Sequence, residues 1–71
     1  MTKNVVTEMT AMVRAIKKQV GDYVNTGEVL LILEAMKMEL PLEAPASGTI
    51  AEIRCQEGQN VIEGDVLVVL V

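Results

Sequence analysis

The sequence contains no histidine, tryptophan or phenylalanine, and Tyr23 is its only aromatic residue. A folded core must therefore be built from Val, Leu, Ile and Met, and stacking of nucleic-acid bases on aromatic rings is essentially unavailable. Ten acidic against six basic residues give a net charge of −4, which disfavours long-range attraction to phosphate backbones or anionic membranes. We therefore expect neither a nucleic acid nor a membrane as a partner.

Cysteine and long apolar runs are equally scarce. The single Cys55 cannot close an intramolecular disulfide, and without histidine the chain offers no Cys/His ligand set for a metal. Apolar runs such as residues 29–33 are far too short to cross a bilayer, and the N-terminus lacks the pattern of a signal peptide. These absences predict a soluble protein of a reducing, cytoplasmic-type compartment.

An internal repeat dominates what is present. Residues 13–33 align with residues 50–70 at a constant offset of 37, and both copies share the pattern G-x-x-V-x-x-G-x-V-L. The glycines on either side of the central valine favour tight turns around a very short strand, because glycine accepts a positive φ at little cost. Upstream the copies diverge, since Ala11 aligns with Gly48. If Gly48 takes a conformation that only glycine adopts easily, the first copy must use a different geometry there.

Each copy ends in a short run of Val, Leu and Ile, which is typical of a buried strand. Two such halves predict an all-β fold, a flattened β-barrel or sandwich of two four-stranded antiparallel sheets related by a pseudo-two-fold axis. At 71 residues the chain forms one domain, 1–71, with repeat halves at about 5–34 and 42–71 and a hairpin seam at 35–41. The predicted strands are residues 4–6, 12–17, 22–24, 28–34, 38–43, 48–54, 59–61 and 65–70.

The seam between the copies predicts a hairpin with its tip at Met36 and Lys37. The outgoing strand alternates apolar and polar residues, and Pro41 within it is tolerable only at a sheet edge. Two-residue hairpin turns favour Asn-Gly, Asp-Gly or paired glycines, because their central residues take positive φ. Met and Lys offer no such relief, so we predict a strained tip, and strain of this kind points towards function.

Structural interpretations of the same residues stay open at this point. Lys37 fits an ordinary solvated hairpin lysine, and Met36 fits a gap-filling side chain. Met38 lies on the apolar face of its strand, so we interpret it as part of the core. Glu34 and Glu39 fit a purely solvating role.

The segment EAMKME, residues 34–39, resembles the biotin-attachment motif of the biotinyl domains of biotin-dependent carboxylases and transcarboxylases. The similarity extends over about residues 5–71, through VGDYVNTGEVLLILEAMKME, APASGTI and EGQNVIEGDVLVVL. Two departures are visible: TEMTA at 7–11 replaces the usual opening with Pro and Gly, and no thumb loop is inserted between Ile16 and Gly21. The chain therefore resembles the thumbless members of the family.

This resemblance implies the biotinyl/lipoyl hammerhead fold, with Lys37 carrying biotin in amide linkage. Met36 and Met38 would flank the modified lysine and assist recognition and carboxylation, and Glu34 and Ala35 would complete the motif. Lipoyl domains share the fold, but their hairpins typically read Asp-Lys-Ala, so the two methionines favour biotin over lipoate. Some small proteins resembling this one accept both, and an unmodified interaction module of the same fold is a further alternative.

The chain lacks the means to modify itself. A lysine amine is almost wholly protonated at neutral pH, and we expect Glu34 and Glu39 to interact with the Lys37 ammonium. No histidine and no recognisable pair of base and nucleophile is present, so we expect a carrier rather than an enzyme, served by a biotin protein ligase. The resemblance implies that its biotin shuttles a carboxyl group between biotin carboxylase and carboxyltransferase subunits or domains. The expected location is the cytoplasm, or the mitochondrial matrix if the chain belongs to a larger carboxylase.

Overall fold

The structure, a computed structural model, describes residues 2–71 as a β fold in which none of the described residues is helical. Every predicted strand is present, and the bounds differ from the predicted ones by no more than one residue. The strands are β1 (Lys3–Val6), β2 (Ala11–Ile16), β3 (Tyr23–Val24), β4 (Val29–Ala35), β5 (Met38–Glu43), β6 (Gly48–Ile53), β7 (Asn60–Val61) and β8 (Val66–Leu70).

Two four-stranded antiparallel sheets form the domain, with strand orders β1-β8-β6-β3 and β5-β4-β2-β7. Strands β1 to β4 of the first half correspond to strands β5 to β8 of the second half. Exchanging each strand for its counterpart converts one strand order into the other, so the two sheets are related in the same way as the two sequence copies. Each sheet takes two strands from each half. The predicted fold class is confirmed, and Pro41 lies in β5, which is an edge strand.

Glycine turns tie each half to the other in the same way. Gly21 and Gly58 both take positive φ, 96° and 89°, as the shared glycine pattern predicted. The Gly21 N–H donates to the Ile50 carbonyl at 2.8 Å, and the Gly58 N–H donates to the Val13 carbonyl at 2.7 Å. These two bonds are equivalent under the repeat, so each turn is anchored on a strand of the opposite half.

The core lies between the two sheets and is aliphatic, as the composition requires. Burying each large side chain of this kind stabilises the fold by about 1.5–3 kcal/mol. Thr7, the buried polar residue of the core, is satisfied locally, because its Oγ1 donates to the Met9 carbonyl at 2.7 Å. Within residues 2–71 no helix is long and apolar enough to span a membrane. The largest fully buried side chains are Leu30, Leu31, Ile50, Leu67 and Leu70.

Glycine is required at position 48 because another part of the backbone lies close to it, and not because of its φ angle. It is not among the residues with positive φ, so the glycine-only conformation considered from the sequence is not used. A Cβ added at Gly48 would instead lie 2.8 Å from the Val71 carbonyl oxygen. This is a distance that a real Cβ essentially never shows, so the backbone of Val71 excludes a side chain here.

Candidate functional site

The turn between β4 and β5 is a two-residue hairpin loop. Ala35 pairs with Met38 across it, and the residues between them, Met36 and Lys37, have φ values of 53° and 65°. Positive φ at both central residues defines the type I′ turn that matches the twist of a hairpin. An L-residue with a side chain pays for this conformation with steric strain. The tight tip predicted from the sequence is therefore formed by two residues that disfavour it.

Side chains at the tip point into solvent. Met36 is 93% exposed and Met38 is 60% exposed, and Lys37 is exposed between them. The interpretation of Met38 as a core residue is wrong. Leu40 and Leu42, further along the same face of β5, are partly buried and pack against the core, but the core ends before it reaches Met38. The apolar face of the strand therefore continues beyond the core as an exposed methionine.

The base of the hairpin is well held. Leu33, which is 3% exposed, pairs with Leu40, and Ala35 packs partly buried against the core. β4 lies between β5 and β2, so its backbone is paired on both sides. Lys37 is therefore carried on a short, strained turn that projects from a fixed pair of strands.

An arginine from a neighbouring strand organises the acidic residues beside the tip. Glu34 and Glu39 stand directly opposite each other on β4 and β5. The Arg14 side chain reaches both, with Nε 2.7 Å from Oε2 of Glu39 and a terminal guanidinium nitrogen 3.6 Å from Oε1 of Glu34. The expected interaction of these two carboxylates with Lys37 is not what the structure contains, because the ion pairs within residues 2–71 do not include Lys37.

Arg14 was missed from the sequence because it lies 25 residues from Glu39. The pairing of β2 with β4 shifts register between Val13 and Ala15, so Arg14 occupies a β-bulge, a feature that redirects a side chain. Only the order β5-β4-β2 and the position of the bulge bring the guanidinium to the hairpin.

Three titratable groups away from the hairpin have shifted pKa values. Burial raises the pKa of the Cys55 thiol, which lowers its reactivity. The Lys18 ammonium lies 2.8 Å from a Glu28 carboxylate oxygen, and this bond raises the pKa of Lys18 and lowers the pKa of Glu28. Among residues 2–71 no group of three His, Cys, Asp or Glu side chains is arranged to hold a metal ion.

Two interlocked four-stranded sheets, one of which displays a lysine on an exposed hairpin, have the form of an attachment domain for a prosthetic group. The sequence agrees, because residues 3–70 match the biotin/lipoyl family model, described as biotin-requiring enzyme. The chain belongs to this family, and it is a biotin carrier domain homologous to those of carboxylases. The family and fold predicted from the sequence are confirmed.

Two relatives are small proteins. A biotin/lipoyl attachment protein of Bacillus subtilis is 48% identical over 50 residues, which cover 70% of this chain and 68% of the relative. The biotinylated protein TB7.3 homolog of Mycobacterium leprae is 33% identical over 70 residues, which cover 99% of both chains. Other relatives are far longer: the chain spans only 8% of the human mitochondrial propionyl-CoA carboxylase alpha chain.

Solved structures show the same fold. Urea carboxylase of Kluyveromyces lactis superposes with a TM-score of 0.93 at 33% identity, over 99% of this chain and 6% of that one. The lipoyl domain of the 2-oxoglutarate dehydrogenase complex of Azotobacter vinelandii superposes with a TM-score of 0.75 at 32% identity, over 87% of this chain and 78% of that one. The fold alone therefore does not separate biotin carriers from lipoyl carriers.

Proposed function

We propose that Lys37 is the residue to which biotin is attached, and that the domain carries a carboxyl group between the active sites of a biotin-dependent carboxylase. The observation that supports Lys37 is its place on the turn. It is exposed at the tip of the strained type I′ turn, and its two neighbours in the chain, Met36 and Met38, are exposed as well. An amine in this position is open to an active site that closes over the hairpin.

The residues around Lys37 fit an acylated lysine. Its amine takes no part in the ion pairs formed within residues 2–71, so no such pair has to be broken when Nζ loses its charge. Attachment requires Nζ to lose a proton and attack the activated carboxyl carbon of biotin, which forms the amide and expels the activating group. The chain has no histidine to take that proton, so a biotin protein ligase supplies both the base and the activated carboxyl.

The domain's own contribution to the later reaction is presentation. When bound, biotin supplies the site at which a carboxyl group is carried. Attachment to a lysine on a projecting hairpin lets the carried group visit two active sites on other subunits or domains, with an effective concentration set by the tether. The partners are then a biotin carboxylase and a carboxyltransferase, the domain itself is not an enzyme, and we propose a cytoplasmic location.

Lipoate is the second candidate for the same lysine. The similarity of the fold to a lipoyl domain and the description of the Bacillus subtilis relative as a biotin/lipoyl attachment protein support it. The exposed Met36 and Met38 favour biotin, because lipoyl hairpins typically carry Asp before the modified lysine and Ala after it. A domain that stays unmodified is the remaining alternative.

A single substitution tests the assignment. We expect Lys37→Arg to fold like the wild type, because the side chain is exposed, and to gain no mass when it is incubated with biotin protein ligase, ATP and biotin. Lys3→Arg is the matched control, since Lys3 is also exposed, and it should gain one biotin. A biotin-sized mass increase on Lys37→Arg would overturn the assignment. On wild-type protein purified from its native cells, the intact mass separates biotin, lipoate and no modification.

A further inference from the structure

The acidic pair beside the tip is held by a residue that neither the attachment motif nor the repeat explains. Glu34 and Glu39 face each other across the hairpin, and like charges directly opposite on two strands destabilise the pair. Arg14 on β2 makes contact with both carboxylates, at 3.6 Å and 2.7 Å. One guanidinium therefore contacts both acidic side chains that stand closest in sequence to Lys37 and offsets one of their two negative charges.

The other sheet supplies an internal comparison. The repeat offset of 37 places Ala51 opposite Arg14 in the alignment, and it places Val71 and Thr2 opposite Glu34 and Glu39. β6 has the matching register shift, between Ile50 and Glu52, so the bulge is part of the repeated fold. The three charged residues are not. They occur together in the sheet that carries the hairpin and are all absent from the equivalent positions of the other sheet.

We propose that Arg14 is a positioning residue for the modification of Lys37: by holding Glu34 and Glu39 against β2, it keeps both carboxylates off the Lys37 ammonium. This inference rests on the proposed attachment at Lys37. Lys37 and Glu39 are two residues apart, at most about 7 Å of chain, a distance that their two flexible side chains can close. Without Arg14 the Lys37 ammonium becomes a cation that the freed carboxylates can reach. An ion-paired amine holds its proton more firmly and reacts more slowly with an acyl donor.

Exposure of the cluster decides where the effect should appear. Arg14 is 53% exposed and Glu39 is 62% exposed at their side chains, and exposed ion pairs contribute little to stability. Replacing Arg14 should therefore leave the fold intact and change the reactivity of the amine. A purely structural role would instead lower the stability of the fold and leave the reactivity of the amine unchanged. The two roles can therefore be separated by experiment.

The first measurement uses a small acylating reagent, an acetyl succinimidyl ester, and needs no ligase. Peptide mass spectrometry compares acetylation at Lys37 with acetylation at Lys3 in the same molecule. For Arg14→Ala we expect the Lys37 to Lys3 ratio at pH 8 to fall about two- to five-fold, the range that exposed ion pairs span. The pH profile of Lys37 acetylation should move to higher pH. An unchanged ratio and profile would overturn the proposal.

Two further variants identify the cause. Arg54→Ala removes an equally exposed arginine, 53% at its side chain, from an ion pair with Glu52 at 2.9 Å, and it changes the net charge by the same amount. It should leave the ratio unchanged, and an equal fall would show a general charge effect and refute the role of Arg14. Adding Glu34→Gln and Glu39→Gln to Arg14→Ala should restore the ratio. Failure to restore it would show that the carboxylates are not the intermediary.

The ligase reaction links this cluster to the proposed function. With biotin protein ligase, ATP and biotin, the value of kcat/KM for Arg14→Ala should fall by a similar factor, and Arg14→Lys should recover part of it, because lysine keeps the charge without the two-pronged geometry. A fall with the ligase but none with the small reagent would refute positioning, since Arg14 would then act on the ligase itself. Wild-type protein that gains no biotin at Lys37 would overturn the proposed function, whereas the acetylation comparison would still judge the role of Arg14.

Discussion

Replacing Met36 by glycine should make the domain more stable, although it removes a large apolar side chain. Met36 has a φ of 53°, and an L-residue in the left-handed region suffers steric strain of roughly 1–2 kcal/mol. Glycine has no Cβ and avoids this strain. Glycine also destabilises the fold by about 0.4–1 kcal/mol, because it increases the conformational entropy of the unfolded chain. Since Met36 is 93% exposed, almost no burial is lost. The expected net gain in the free energy of unfolding is therefore about 0.5–1 kcal/mol.

For a domain of this size a gain of 1 kcal/mol corresponds to a rise in Tm of about 4–8 °C, so we expect Met36→Gly to raise Tm by about 4 °C. Urea unfolding of the unmodified protein measures the free energy directly. The matched control is Met38→Gly, two residues further on, where the backbone is in a strand and glycine should destabilise by about 0.5–1 kcal/mol. Opposite signs at the two methionines are the expected result. A loss of stability in both variants would refute the view that the turn is strained.

Two other sites give testable expectations. Gly48→Ala places a Cβ 2.8 Å from the backbone oxygen of Val71 and should lower the free energy of unfolding by about 1–3 kcal/mol, and urea unfolding indistinguishable from wild type would show that Val71 moves aside at no cost. The hydrogen bond from Lys18, followed by that from the Asn25 backbone N–H, lowers the pKa of Glu28 from 4.5, so its stabilising contribution is present above about pH 4.5 and is lost as the pH falls through the lowered folded-state pKa. Glu28→Gln should therefore be less stable than wild type at pH 7, and the difference should vanish in acid; a difference that persists below pH 3 would contradict this linkage.

Local pattern was enough to predict the strands and the hairpin. The Val, Leu and Ile runs define the long strands, and the repeated glycines define the turns around β3 and β7, so the bounds are close to those observed. The tip at Met36 and Lys37 could be located because a seam between two repeats has to be a connection. The assignment of the attachment role to Lys37 stays a prediction, since exposure at a turn does not by itself establish that a lysine is modified.

Features that depend on distant parts of the chain could not be predicted. The alternation of β5 gives the face on which Met38 lies, but it does not say where along that face the core ends, and Met38 is beyond that point. The contact of Arg14 with Glu39 requires a bulge and a strand order that no local pattern encodes. The need for glycine at position 48 comes from Val71, which the chain brings alongside only when it is folded.

The exchange of strands between the halves has a consequence for how the hairpin can change. Two separate chains, each equivalent to one half, would form the same pairings as a symmetric dimer, because each sheet already draws two strands from each half. Covalent continuity needs one linker between them, and that linker is the turn that carries Lys37. β1 and β8, which pair as β5 and β4 do, have no such turn. The carrier turn is thus the one connection between strands that has no counterpart in the other half. A substitution in this turn therefore does not have to preserve the symmetry that relates the two sheets.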